Sequence, residues 1–394
     1  MTQTQPLRDL AARDLGPNAG LIGKPGSREL LATPCLVLEH DALLRNIETA
    51  ASFCRQNQIA LRPHGKSHKS AAIAALQMQA GAAGLCVATV GEAEAFAKAG
   101  ISDLLITSTF TQPNKFRRAA SLAGKGCRLA VVADAPMMVD ELAQAAGAAG
   151  VTFEVLVDVD LGRHRNGVTS VAQAVAVADR IAASKQLRFG GIQAYASHIS
   201  HVPYAERLAA SRQCASFIKE IRAALIAAGH QVACVTGGST GTLFMDPGLS
   251  CYSELQCGSY VFNDVEYADL ILDGDPAHRH AASPFAAALF VKVSVIGRNV
   301  EGRVTCDGGN KHFSAKGTLP AFRTAPIAGA IYRPDSDEHG IIELPEGVAQ
   351  PDLGSTFELI VPHCDPTVNL YDHIHVVEGD TLVDIWPIEA RGAF

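Results

Sequence analysis

The chain has 394 residues, 48% of them hydrophobic and 19% charged, and a formal net charge of -7. That length suits two domains, and the negative balance argues against nucleic acid or an anionic membrane surface as a partner. No apolar run reaches the length of a membrane span, and Met1 to Pro6 is polar with no basic segment ahead of an apolar one, so a cytoplasmic protein without a secretory signal is expected.

Residues 1–32 carry little pattern and are expected to pack on a later domain. From Thr33 onward, short runs rich in Val, Ile and Leu alternate with Ala-rich segments of helical period. The runs are Pro34 to Glu39, Ala60 to Pro63, Gly84 to Val90, Leu104 to Thr109, Leu129 to Ala133, Phe153 to Val159, Phe189 to Tyr195 and Val232 to Thr236. Asp41 to Gln56, Glu92 to Ala99 and Val171 to Ala183 are among the helices between them. Repeated β-then-α units imply right-handed crossovers and a parallel sheet. Roughly eight units in about 250 residues is the size of a closed (β/α)8 barrel of the TIM type. This places a barrel at 33–275, with a doubly wound open sheet as the alternative.

The pattern breaks at Asp269 to Ser283. Phe285 to Ile296, Arg303 to Cys306, Ile327 to Tyr332, Thr356 to Val361 and His373 to Val377 then read as strands without long helices between them, giving a mostly-β domain at 276–394. The ten cysteines form no C-x-x-C pair and mostly sit in apolar runs, as reduced buried thiols do.

Reactive groups in a parallel barrel collect where strands end. The second run is followed by Arg62-Pro63-His64-Gly65-Lys66-Ser67-His68-Lys69. A solvated basic loop is the plain reading. The functional one is a lysine at the barrel mouth, its pKa lowered by burial among cations so that it can attack a carbonyl. The sixth run leads into Asp158 to Gly167, the seventh into Gln193-Ala194-Tyr195 and Ser197-His198, and the eighth into Thr236-Gly237-Gly238-Ser239-Thr240-Gly241. The last is Gly-rich and hydroxylated, at a position where barrels bind phosphate through backbone N–H groups. A simple turn has the same composition.

The segment Pro63 to Lys69 resembles the cofactor-lysine motif of the metal-dependent D-threonine aldolase and D-serine dehydratase family, alanine-racemase-like pyridoxal-phosphate enzymes of fold type III. Arg165-Asn166-Gly167-Val168, Gln193 to Tyr195, Thr236 to Gly241, Glu254 to Tyr260, Asp337 to Gly340 and Pro362 to Thr367 follow in the family's order. The resemblance runs from about Thr33 to the C-terminus. It implies that Lys66 carries pyridoxal 5'-phosphate as a Schiff base, that Arg165 faces the ring nitrogen, and that Tyr195, Thr236, Gly238, Ser239, Thr240, Gly241, Gly258, Ser259 and Tyr260 surround the cofactor. It also implies that His363 and Asp365 hold a divalent metal.

Two apart at the end of an apolar strand, His363 and Asp365 would share one face of an extended chain. An imidazole and a carboxylate suit Mn, Mg or Co better than Zn. In the resembling family a cysteine at the Asp365 position accompanies zinc-dependent dehydratases, so the aspartate leans toward the aldolases. The chain departs from the family at Ala88 and Thr89, at Ala196 to His201 and at Asp307 to Lys311, all near the pocket.

The resemblance therefore implies a lyase that splits D-3-hydroxy amino acids of the D-threonine kind into glycine and an aldehyde. A D-serine or 3-hydroxy-D-aspartate dehydratase is the alternative, and a non-catalytic cofactor-binding protein, which on this barrel lacks the β domain and the metal pair, is a third. His68, His198 and His201 are candidate bases. Arg163, Arg323 and Lys311 are candidates to meet a carboxylate on the substrate side chain. A homodimer is expected, since in the family the barrel mouth is completed by a second chain.

Overall fold

The computed structural model describes residues 15–314, 318–323 and 329–394. The polar stretch Met1 to Pro6, and Ile327 and Ala328 of an expected strand, lie outside them.

The first strand, β1 (Cys35–Glu39), belongs to the second domain. It pairs antiparallel with a strand at 289–292 and parallel with one at 375–377. This corrects its expected place in the barrel. A buried apolar strand followed by a helix looks the same in either sheet, because period and composition do not name the partner.

The barrel consists of β2 (Ala60–Leu61), β3 (Leu85–Val87), β4 (Asp103–Ile106), β5 (Arg128–Ala133), β6 (Phe153–Asp160), β7 (Leu187–Tyr195), β8 (Cys234–Gly237) and β9 (Glu254–Leu255). All eight run parallel in the order β2-β9-β8-β7-β6-β5-β4-β3. A bridge between His64 and Cys86, with the Cys86 N–H donating to Pro63 O at 2.8 Å, joins β2 to β3 and closes the ring. β9 is only two residues long, too short to register as an apolar run. Cys86, Leu105, Val132 and Leu156 cluster as one buried set from consecutive strands β3 to β6. A larger cluster lies between strands and helices, joining Val131, Val155 and Ile192 to Phe116, Leu142, Ile181 and Ile218. Chain punctuation sets the helix starts. Pro113 and Pro136 open helices where a missing N–H costs nothing, and Thr89 accepts the Glu92 N–H at 3.1 Å as a cap.

The second domain holds β10 (Leu289–Gly297), β11 (Arg303–Cys306), β12 (Ala321–Phe322), β13 (Ile331–Pro334), β14 (Gly340–Glu343), β15 (Thr356–Ile360), β16 (His373–Glu378) and β17 (Thr381–Pro387). Its path is β13-β14-β11-β10-β1-β16-β17, with β15 joining β10 to β12. Residues 15–32 lie against it: Gly23 N–H donates to Leu382 O and Arg28 N–H to Asp380 O. The helix at His40–Gln56 packs Leu43, Ile47 and Cys54 into the core shared by the sheet and the barrel. No described helix is long and apolar enough to cross a membrane.

Candidate active site

At the C-terminal end of β2 the chain tightens into a 3-10 turn at Gly65–Ser67. His64 orders this turn. Its Nδ1 accepts the Lys66 N–H at 3.4 Å, and its Nε2 lies 2.9 Å from Thr107 Oγ1, whose own proton goes to Val87 O. The donor is therefore His64 Nε2–H, and burial together with the Lys66 charge keeps the ring neutral, its pKa well below the ordinary value.

Lys66 lines a cavity of about 170 Å³ at the barrel mouth. Its ammonium donates to the carboxylate of Asp365 from the β domain of the same chain. The lowered lysine pKa expected from the basic sequence is thus reversed. Burial acts in that direction, but the facing carboxylate outweighs it and holds the ammonium above its ordinary value. The other cations of the segment are spent elsewhere: Arg62 pairs with Glu254 and Asp103, and Lys69 with Glu92 at 2.6 Å.

Across the cavity, Ser239, Thr240, Gly258 and Ser259 form the wall. Gly238 has φ +72, and a Cβ there would lie 2.4 Å from Asp246 Oδ2. A Cβ on Gly258 would lie 2.4 Å from Ser67 Oγ and 3.1 Å from His64 O. Ser67 Oγ is buried, lines the cavity and has no hydrogen-bond partner among the described residues. Gly238 is absent from the cavity lining and serves close packing on Asp246; Gly258, the unpartnered buried Ser67 hydroxyl and Lys66 line one cavity and fit a phosphorylated aldehyde cofactor. Arg165 and Tyr195 also line the cavity, Arg165 Nε donating to Asn166 Oδ1 at 2.8 Å.

Other expected contacts lie behind the wall. Thr236 is fully buried on β8, its Oγ1 accepting from Gln256 Nε2 at 3.0 Å. Tyr260 is fully buried, its N–H donating to Thr240 Oγ1 and its hydroxyl accepting from Gln77 Nε2. A Gly241 Cβ would meet Ser200 O at 2.2 Å, so this glycine serves close packing. These three support the cup and are absent from the cavity lining.

None of the three candidate bases is in the cavity lining, and they differ in their surroundings. His68 is fully buried, with Nδ1 accepting the Ser70 N–H at 3.2 Å and burial lowering its pKa to about 4. It is absent from the cavity lining. His198 is exposed beside Gly162. His201 packs on the Tyr267 ring at 4.7 Å, with Nε2 3.6 Å from Glu266 Oε2. The same Glu266 oxygen is 3.4 Å from His363 Nδ1, and Asp264 Oδ2 lies 3.2 Å from that nitrogen.

At His363 the backbone is extended, but a short helix begins at Cys364. The alternation that would set His363 and Asp365 on one strand face therefore stops, and Asp365 reaches Lys66 while His363 meets Asp264 and Glu266. The ligand atoms of Asp264, His363 and Cys364 lie within 4.8 Å of one another. Burial pushes the Cys364 thiol well up, so it is a poor anionic donor. An imidazole whose Nδ1–H is held by a carboxylate keeps Nε2 as a lone-pair donor, the usual state of a metal-bound histidine. With Asp365 nearby, the donor set is nitrogen and oxygen and fits a divalent cation.

Sequence reading passed over several participants. Asp264 and Glu266 lie a few residues beyond the recognised Glu254 to Tyr260 segment, and an Asn-Asp pair opening a helix was the available signal. Asp158, two residues before the end of β6, stands in the cavity wall. Burial pushes its pKa up to about 6, while Gln193 Nε2 donates to it at 2.9 Å.

The family profile described as alanine racemase, N-terminal domain, matches residues 38–265, and a serine dehydratase domain profile matches residues 288–377. The chain is 35% identical to a D-threonine aldolase of an Arthrobacter species over 361 residues, covering 91% of this chain and 93% of that protein. It is 35% identical to a 3-hydroxy-D-aspartate aldolase of Paracoccus denitrificans (strain Pd 1222) over 371 residues, covering 93% and 94%. The crystal structure of D-threonine aldolase from Filomicrobium marinum superposes with a TM-score of 0.87 at 35% identity, covering 92% of this chain and 97% of that one.

Proposed function

Because this chain belongs to the alanine racemase-like family that takes in the D-threonine and 3-hydroxy-D-aspartate aldolases, with pyridoxal 5'-phosphate and a divalent metal as cofactors, we propose that it cleaves the Cα–Cβ bond of D-3-hydroxy amino acids to glycine and an aldehyde. One observation carries the reading. Lys66 of the barrel and Asp365 of the β domain converge on one cavity walled by Ser239, Thr240, Gly258 and Ser259.

When bound, the cofactor supplies a conjugated ring that draws electron density from Cα. The chain's own residues do the rest. Lys66 Nζ is the attachment point. Ser239, Thr240, Gly258, Ser259 and the Ser67 hydroxyl would receive its phosphate, and Arg165 would supply a cation beside its ring. An ammonium committed to cofactor attachment leaves Asp365 to neutralise a metal cation instead. His363 and Asp365 would hold that ion, of the Mn, Mg or Co type, with Asp264 orienting the imidazole. His201, sharing Glu266 with His363, takes the proton of the substrate's 3-hydroxyl. Release of that proton completes the carbonyl of the departing aldehyde as the Cα–Cβ bond breaks. A cytoplasmic homodimer acting on small molecules agrees with this reading.

A product assay with D-threonine and D-3-hydroxyaspartate tests it. Glycine with acetaldehyde or glyoxylate is the expected outcome. Ammonia and a 2-oxo acid in place of glycine would overturn it in favour of a dehydratase.

A further inference from the structure

The cavity lining holds three cations: Lys66, Arg163 and Arg165. Lys66 is matched by Asp365. Arg165 bonds to Asn166 and its charge acts on Asp158. Arg163 has no side-chain hydrogen bond or ion pair among the described residues, although its backbone is firmly held. Asp160, the last residue of β6, accepts the N–H groups of Gly162, Arg163 and His164 at 2.9, 2.8 and 2.9 Å, staking the loop to the barrel. The carboxylate nearest in sequence is thus engaged by its own loop and does not compensate the guanidinium.

The other two basic candidates for a side-chain carboxylate are elsewhere. Arg323 donates to Glu39 and Glu358 and lies 4.6 Å over the Phe290 ring, and Lys311 pairs with Glu338 on the surface. A guanidinium without a partner on a pinned loop is available to a carboxylate, because its planar fork matches two carboxylate oxygens.

Resting on the aldolase reading, we propose that Arg163 binds the β-carboxylate of the substrate and makes the enzyme prefer 3-hydroxy-D-aspartate over D-threonine. Position favours the side-chain carboxylate over the α-carboxylate. The reacting Cα must sit beside Lys66 inside the mouth, whereas Arg163 is exposed at the rim, where the end of the substrate furthest from the cofactor emerges. A neutral β-methyl group offers the guanidinium nothing, so the charge discriminates between substrates instead of strengthening both equally.

Two measurements on the holoenzyme test this. The first is kcat/KM for D-3-hydroxyaspartate and D-threonine in wild type, R163Q and R163K. R163Q should lower the hydroxyaspartate value on the order of 50-fold relative to the D-threonine value, mainly through KM, and R163K should recover part of the loss. The second is calorimetric binding of two analogues lacking the hydroxyl, D-aspartate and D-2-aminobutyrate; R163Q should weaken the first selectively. Equal losses for both substrates would assign Arg163 to the α-carboxylate or to loop integrity and overturn the proposal, as would no loss for either. If the wild type releases ammonia instead of glycine, the aldolase reading fails alone, and the same substrate ratio judges Arg163 on the reaction that occurs.

Discussion

Lys66 and Asp365, 299 residues apart in sequence, form an ion pair at the barrel mouth. One partner comes from the end of a barrel strand and the other from the helix after β15. Each is held charged by the other: the carboxylate raises the ammonium pKa, and the ammonium helps hold the carboxylate well below its usual range. On the proposed reading, in which Lys66 attaches the cofactor and Asp365 holds the metal, the pair would link the two sites.

Lys66→Ala should yield a folded protein without the visible absorbance of the lysine-bound cofactor and without borohydride-reducible label. Lys69 cannot replace it, because its ammonium is buried against Glu92. A reducible cofactor in the purified variant would show that attachment lies elsewhere.

Exhaustive chelation should abolish turnover while the cofactor absorbance stays, and added Mn²⁺ should restore it. His363→Ala should behave like the chelated protein, with a loss on the order of a hundredfold. Asp264→Asn should weaken metal affinity by roughly 10–100-fold without emptying the cofactor site, because Asp264 orients His363 through Nδ1. Titration of apo-protein with Mn²⁺, followed by activity, measures both. Full activity in excess chelator would remove the ion from the mechanism.

Gly258→Ala adds a methyl group against Ser67 Oγ and 3.1 Å from His64 O, displacing the hydroxyl proposed to receive the cofactor phosphate. Cofactor retention on dialysis should fall on the order of tenfold or more, since one unfavourable contact of about 1.4 kcal/mol suffices for that factor. Unchanged retention would place the phosphate elsewhere.

Asp246 is buried behind the cup, and burial pushes its pKa up to about 7, with only the Thr242 hydroxyl to favour the anion. In the unfolded chain the group ionises near the ordinary carboxylate value, so between there and neutrality the folded state binds more protons and stability falls as pH rises. Asp246→Asn, which keeps an oxygen for Thr242, should therefore stabilise the protein by a few kcal/mol at about pH 8 and by less at about pH 5. Denaturant melts at the two pH values check this; an equal gain at both would mean that the carboxylate is not strained by burial.

The barrel was legible because short apolar runs alternate with helical segments, and Lys66, Ser239, Thr240 and Gly258, from separate motifs, line one cavity. What escaped was direction and partnership. His68 and Tyr260 stand beside cavity residues in sequence, yet the turn at 65–67 and the one at 259–261 rotate them into the core. A motif records which residues occur together, and three residues of 3-10 turn decide which of them face the solvent. Asp365 was expected as a metal ligand, but its contact with Lys66 could not be read, because that pairing depends on how two domains meet.

The placement of β1 between β10 and β16 bears on how the chain is made. Cys35 to Leu38 leaves the ribosome long before its hydrogen-bonding partners, residues 289–292 and 375–377. Until they arrive the strand has two open edges, the kind of surface that recruits other chains. Nascent protein should therefore depend on holding chaperones more than a barrel of local β-α-β contacts would, and its refolding should be slow for its length.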